Sequence, residues 1–305
     1  VISVKNKQTL AIKSMLLCFA TFFAASCGSM STSAAEINGR KISRAELELT
    51  ITELGDAGQT PVVNGEIDGE TVRGVLSALI QGAATEQFLK ENGVEITTAD
   101  RDATRARVVQ NNDTSAYTQH LKDLIVELNS GILALERVKA PAAKRAAEMY
   151  AAAPASLGVL CLRHLVVDAE ATATEALKKF NNGAEFASVA SEFSIEPNVE
   201  TSGGALTGAD NACITLAEYQ SNFDGEFTAG ALRAKAGVAF GPVKSSFGYH
   251  IIYVRPFIEV ADDISKLLQT SAGVNLLTGF VATSKIKVDS AYGFWNPARG
   301  GVVAN

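Results

Sequence analysis

The chain contains three histidines, His120, His164 and His250, and four cysteines, Cys18, Cys27, Cys161 and Cys213. Imidazole changes charge nearest neutral pH, and either ring nitrogen can donate or accept a hydrogen bond. Its surroundings therefore decide what it can do. His250 falls in "GPVKSSFGYHII", Gly241–Ile252, where an apolar run behind a glycine-proline turn reads as a buried strand. There it is either a packed core residue or one wall of a site. His164 falls in a second apolar strand, "LGVLCLRHLVV". His120 has charged and polar neighbours in a helical stretch and reads as a solvated residue. Cys161 and Cys213 form an even pair once Cys18 and Cys27 are assigned to a leader. In an oxidising compartment they can form a disulfide; the alternative is two buried thiols. Neither has a second ligand at finger-like spacing, so no metal site is indicated.

These groups need elements to hold them. "AAEINGRKIS" reads as a strand, a turn and a helix entry, with Ser43 as N-cap and Glu46 completing a capping box. In "TVRGVLSALIQGAATEQFLKENG", Val72, Val75, Leu76, Leu79, Ile80 and Ala83 fall on one helical stripe, and Gly93 ends it. "TTADRDATRARVV" starts at a cap at Thr97 or Thr98. The stretch 114–153 is helical, with breaks expected near Gly131 and Pro141. The character changes after Pro154. A strand, the helices "ATATEALKKFNNG" and "AEFASVASEFS", and a glycine-rich loop "TSGGALTGADNAC" follow in turn. A helical stretch "NFDGEFTAGALRAKAG", a turn at "GP" and a final strand "FGYHIIYVRP" complete this part. That order predicts a small α+β unit with a largely antiparallel sheet. The tail returns to a helix and a strand, "KIKVDS". The strands near Ile37 and Ile286 are both short, and each needs a partner. They are expected to pair with each other.

The bulk composition is that of a globular protein, with 47% hydrophobic and 20% charged residues. A net charge of −6 leaves no basic footprint, which argues against a nucleic-acid partner. Lys5, Lys7 and Lys13 precede "SMLLCFATFFAAS", an apolar stretch too short to span a bilayer but suited to a secretory leader. "AASC" at Ala24–Cys27 resembles a lipobox, which would make Cys27 the lipidated first residue of an exported protein. The plainer reading is a leader cleaved near Ala34–Ala35.

From about Leu160 to Pro256 the residues resemble the parvulin family of peptidyl-prolyl cis-trans isomerases. "LRHLVV" is similar to the family's first strand with its histidine, and "GAEFASVASEFS" to its helix pair. Gly203–Gly204 stand where the family has a glycine loop, and "GPVKSSFGYHII" is close to its closing signature. The flanking parts resemble the helical portions of extracytoplasmic foldases of the SurA and PrsA type, chiefly through "INGRKISRAEL" and the helical layout.

The resemblance implies a parvulin-like domain at 155–258, inserted between a helical chaperone-like region at 35–153 and a C-terminal segment, 259–305, that packs back onto it. Ahead of these come a leader, 1–26, and a linker, 27–34. It also implies that His164 and His250 pair beneath the active site, orienting one another more than shuttling protons. Glu196 falls at the family's cysteine-or-aspartate position. Phe223, Phe227 and Phe247 line a proline pocket, while Leu232 serves packing. No cofactor is implied. The partners implied are proline-containing segments of unfolded exported chains, together with a membrane reached through Cys27.

Two departures bear on activity. Glu196 carries one methylene more than aspartate. The family's "GGDLG" reads "GGALTG", with Ala205 and Thr207 replacing the aspartate and the next glycine. Two functions follow as expectations: an exported isomerase that also acts as a folding chaperone, or a non-catalytic chaperone whose parvulin unit only binds peptides.

Overall fold

The computed structural model describes residues 2–3, 32–111, 113–206 and 213–305. The leader's apolar stretch with Cys18 and Cys27, and the loop 207–212 with Thr207, lie outside the described residues.

Strands β1 (Ser33–Ile37) and β2 (Arg40–Ser43) are joined by Asn38 and Gly39, both at positive φ, the geometry that suits a two-residue hairpin. Helix α1 (Arg44–Asp56) follows, with Ser43 Oγ accepting from the Glu46 N–H at 3.0 Å. A two-way capping box is found further on, at Thr215 and Glu218. Helix α2 (Gly69–Glu91) buries Leu76, Ile80 and Ala84 against α1 and the hairpin. Helix α3 (Thr98–Asn111) is entered through Thr97, whose hydroxyl accepts from the Asp100 N–H.

Two expectations for the next stretch are corrected. Helix α4 (Gln119–Leu135) runs through Gly131 without a break. A Cβ there would come 2.5 Å from Thr85 Cγ2, so the glycine serves close packing against α2. The interruption comes after Leu135, before α5 (Ala143–Ala152). His120 is also more than a solvated residue. Its Nδ1 lies 2.6 Å from Glu53 Oε2, and the same carboxylate accepts from Thr118 Oγ1 at 2.7 Å. The start of α4 is thereby tied to α1.

The α+β unit holds β3 (Leu162–Val167), α6 (Glu170–Asn181), α7 (Phe186–Phe193), α8 (Val199–Ser202), α9 (Leu216–Asn222), α10 (Gly225–Arg233), β4 (Ala239–Ser245) and β5 (Gly248–Val254). The sheet is antiparallel with β5 in the middle, between β3 and β4. His250 lies opposite Val166, and Ile252 opposite His164. Strand alternation then sorts the side chains. Leu165, Val167 and Ile251 pack beneath Phe186 and Val189, whereas His164, His250 and Ile252 face α10.

The glycine-proline pair is not a turn. It lies inside β4, where the register with β5 shifts between His250 and Ile252. Gly241 has φ 149°, and a Cβ on it would meet the His250 carbonyl oxygen at 2.5 Å, as fits a bulge. The true turn is at Ser246–Phe247, between β4 and β5.

Helix α11 (Phe257–Thr283), interrupted at Ser271, carries the chain back to the N-terminal helices. Its Val260, Ile264 and Leu268 join one buried cluster with Leu89, Tyr150, Tyr219, Phe227 and Ile252. Strand β6 (Ile286–Val288) then pairs with β1, Ile286 opposite Ile37, which is the pairing expected. A last hairpin, β7 (Phe294–Asn296) and β8 (Gly301–Val303), touches both parts of the chain. The Val302 N–H donates to Ser77 Oγ of α2, and Gln220 of α9 donates to the Pro297 carbonyl. Among the described residues, no helix is long and apolar enough to cross a membrane.

Candidate active site

His164 and His250 stand side by side on neighbouring strands. Both are buried, their rings are stacked with centroids 5.5 Å apart, and their Nδ1 atoms are separated by 3.3 Å. The other nitrogen of each ring faces a different group. Ser245 Oγ is 2.6 Å from His250 Nε2 and also accepts from the Phe247 N–H at 3.0 Å. Glu196 Oε2 is 2.9 Å from His164 Nε2 but off the line of a well-aligned hydrogen bond, so the contact is chiefly electrostatic.

An ionised Glu196 selects the direction of this chain. A carboxylate only accepts, so a His164 carrying a single ring proton presents Nε2–H toward it and leaves Nδ1 as an acceptor. His250 Nδ1–H then donates to His164, and His250 Nε2 accepts from the Ser245 hydroxyl. Both rings are neutral in this arrangement, and each is held in one tautomer. The His164 contact holds the Glu196 carboxyl below its usual range, against the opposing effect of burial. Burial and the neighbouring His164 push His250 down to about 4.

That depression sets a pH dependence. Between about pH 6.5 and 4 the unfolded chain binds a proton at His250 that the folded chain excludes, so folding stability rises with pH across this window. Acidification through it should cost roughly 3 kcal/mol from this residue, at 1.36 kcal/mol per pKa unit. Urea unfolding at several pH values should show the loss, and His250→Asn should flatten it. An unchanged slope in that variant would refute the assignment.

Phe227 forms the floor. It is buried and meets His164 and His250 edge to face, at centroid distances of 5.3 and 5.0 Å. Phe223 stacks beside it at 6.1 Å, and Tyr219 backs Phe223 at 4.6 Å. With Val166, Ile195, Leu206 and Phe247, Phe223 and Phe227 line an open recess of about 380 Å³. That is within the usual range for a small-ligand cleft, about 300–1,000 Å³. Phe247 and Ile195 stand exposed at the rim. The recess therefore brings together all six residues expected at the site, His164, Glu196, His250, Phe223, Phe227 and Phe247. Leu232 packs against the core, outside the lining.

Several supporting residues were not read from the sequence. Asp224 caps α10, accepting from the Glu226 and Phe227 N–H groups, and it also receives the Ser246 hydroxyl at 2.9 Å. It thus fixes the floor helix to the rim turn. The Asp-Gly-Glu run was a legible N-cap signature. Ser194 accepts from the N–H groups of Val166 and Glu196, which sets Glu196 beside the strand edge. Arg163, on the far side of β3, donates to the carbonyls of Ser202 and Gly203.

The glycine loop meets β3 closely. The His164 N–H donates to the Gly204 carbonyl, and a Cβ on Gly204, at φ +80°, would lie 2.3 Å from the His164 carbonyl oxygen. Gly204→Ala is accordingly expected to cost about 1–3 kcal/mol through strain. Thermal unfolding would measure this, and an unshifted midpoint would contradict it.

Cys161 and Cys213 form a disulfide across 52 residues of sequence, at the edge of this unit.

Residues 166–256 match the family model described as rotamase, PPIC-type PPIase domain. His164 lies two residues before that match, and Glu196 and His250 lie within it. The chain is similar to the foldase protein PrsA of Clostridium botulinum (strain Okra / Type B1), at 25% identity over 83% of this chain and 87% of that protein. It is similar to the foldase protein PrsA of Clostridium kluyveri at 41% identity over 91 residues, 30% of this chain and 25% of that protein. Among solved structures, PrsA from Bacillus subtilis aligns at 20% identity over 84% of this chain and 94% of that one, with a TM-score of 0.30. Residues 166–256 therefore form a PPIC-type peptidyl-prolyl isomerase domain, in a chain that is similar over most of its length to PrsA foldases.

Proposed function

We propose that this chain is an exported, lipid-anchored isomerase and chaperone, in which the recess over Phe227 holds the proline of an unfolded client. The observation that carries this reading is the apolar floor of Phe223 and Phe227, backed by two buried, mutually oriented histidines. The parvulin-like unit, 155–258, is the catalytic insertion, and the helices on either side of it in sequence make a surface for clients.

Rotation about an X–Pro bond faces a barrier of about 18–20 kcal/mol, and it breaks no bond. A catalyst needs only to bind the twisted amide better than the planar forms. Twisting removes amide resonance, so the carbonyl oxygen loses part of its negative charge. An apolar recess favours that less polar state. The Glu196 carboxylate at its edge disfavours the oxygen's full planar charge. His164 and His250 act as positioning residues: they hold Glu196, Ser245 and the strand ends in register. Phe223, Phe227 and Phe247 enclose the pyrrolidine ring.

Export is supported by the lysines and apolar stretch ahead of Cys27, and anchoring by "AASC" at Ala24–Cys27. The anchor is tested by feeding cells a clickable fatty acid. Wild-type chain should take up the label and sediment with membranes, and Cys27→Ser should do neither. Label retained in that variant would overturn the anchor.

The altered loop after Gly204 gives a peptide-binding chaperone as the second reading. Two assays on one preparation separate them: protease-coupled isomerisation of an Ala-Pro tetrapeptide, and suppression of aggregation of a denatured client. The isomerase reading expects wild-type chain to accelerate the first. Suppression without acceleration would leave only the chaperone.

A further inference from the structure

The chemistry around the mouth of the recess is one-sided. Its lining includes two carboxylates, Glu196 and Asp224, and no lysine or arginine. The nearby cations point elsewhere. Arg163 is on the other face of β3, bound to the carbonyls of Ser202 and Gly203. Lys244 sits over the Tyr249 ring, on the face of β5 opposite His250.

Among the described residues, neither carboxylate is paired with a lysine or arginine. Glu196 lies against the His164 ring. Asp224 is held by amide N–H groups and the Ser246 hydroxyl, dipoles that stabilise a charge without cancelling it. The Asp224 carboxyl lies below its usual range because its hydrogen bonds to Ser246, Phe227 and Glu226 outweigh burial, and Glu196 is likewise depressed. Two negative charges therefore stand at the mouth at neutral pH, in a chain already at −6 overall. A proline seated over Phe227 must run its flanking residues out through this mouth.

We propose that Glu196 and Asp224 determine sequence preference: the site takes prolines whose flanking residues are neutral or cationic, and rejects acidic and phosphorylated ones. This rests on the reading that the recess holds the proline.

The test compares kcat/KM for Ala-Xaa-Pro-Phe peptides with Xaa as Lys, Ala, Glu or phosphoserine. The expected order is Lys, Ala, Glu, phosphoserine. Lys should exceed Glu by about ten-fold at low salt, since the mouth attracts one charge and repels the other. Raising salt well above physiological strength should narrow that gap. Asp224→Asn keeps a capping oxygen and removes the charge, so the Lys-to-Glu ratio should fall about three-fold whatever happens to the absolute rate. A chain that turns over the Ala peptide but handles Glu as well as Lys overturns the preference alone. So does a ratio unmoved by Asp224→Asn. A chain that accelerates none of the four overturns the isomerase reading and the preference together.

Discussion

Replacing Phe227 with alanine should lower kcat/KM for an X–Pro peptide at least about 100-fold. The ring meets both histidines edge to face and also floors the recess. Its removal takes away the surface against which the pyrrolidine ring is held and leaves the histidine pair unsupported. Misplacement of a bound group by about 1 Å can cost that much in rate. The same substitution opens a cavity in the cluster that includes Tyr219, Val243 and Ile252, so stability should fall by about 3–5 kcal/mol. Stability loss and chemistry are separated by Phe227→Leu, which preserves most of the volume and should cost less than about 1.5 kcal/mol. That variant should stay folded and still lose rate, chiefly in kcat, because a branched aliphatic cannot meet two imidazoles edge to face. Phe227→Leu with wild-type kcat would show that the ring contributes bulk alone.

Removing the bridge between Cys161 and Cys213 is the second large change. It closes a loop of 52 residues that contains His164, Glu196 and Leu206, three members of the recess lining. On the chain-entropy account a loop of this length contributes roughly 4 kcal/mol, by restricting the unfolded state. Both cysteines are buried, and the flanking strands Val159–Leu160 and Ile214–Thr215 pair beside them. The double substitution to alanine should therefore lower urea stability by several kcal/mol. It should also raise KM more than it lowers kcat, because the wall next to Leu206 loosens while the histidine pair stays in the sheet. Unfolding within about 0.5 kcal/mol of the bridged protein would show that packing alone holds this edge. If the bridge contributes this much, reductant should lower urea stability of the wild-type chain as the double substitution does.

The residues of the site were more legible than the backbone that presents them. His164, His250 and Phe247 sit in motifs whose order and spacing resemble the parvulin pattern, Phe223 and Phe227 follow from alignment to that pattern alone, and the recess gathers all five. Periodicity also located α2, because a helix that buries one stripe must repeat at the helical interval. Reasoning from punctuation did less well. Gly131 and the Gly241–Pro242 pair read as breaks in the sequence, yet both lie inside elements, one packed against Thr85 and the other at a strand bulge. A glycine needed for close approach looks the same in sequence as one that ends an element. The hydrogen bonds of Ser194 to Val166 and of Ser246 to Asp224 were invisible for a different reason. Each links residues brought together only by the sheet and the floor helix, and serines and aspartates in turns are too common to single out. The Glu53–His120 pair, 67 residues apart, was hidden in the same way.

The central claim is that this recess catalyses rotation about the X–Pro bond. The most direct measurement is two-dimensional NMR exchange on an Ala-Pro peptide, with the chain present at a small fraction of the peptide concentration. No coupled protease is needed, and both isomers are seen at equilibrium. Cis–trans exchange peaks should appear with wild-type chain at mixing times where the peptide alone shows none. They should vanish with Phe227→Ala at a temperature where that variant is still folded by circular dichroism. Exchange no faster than in buffer, with folded wild-type chain, would contradict catalysis at this site.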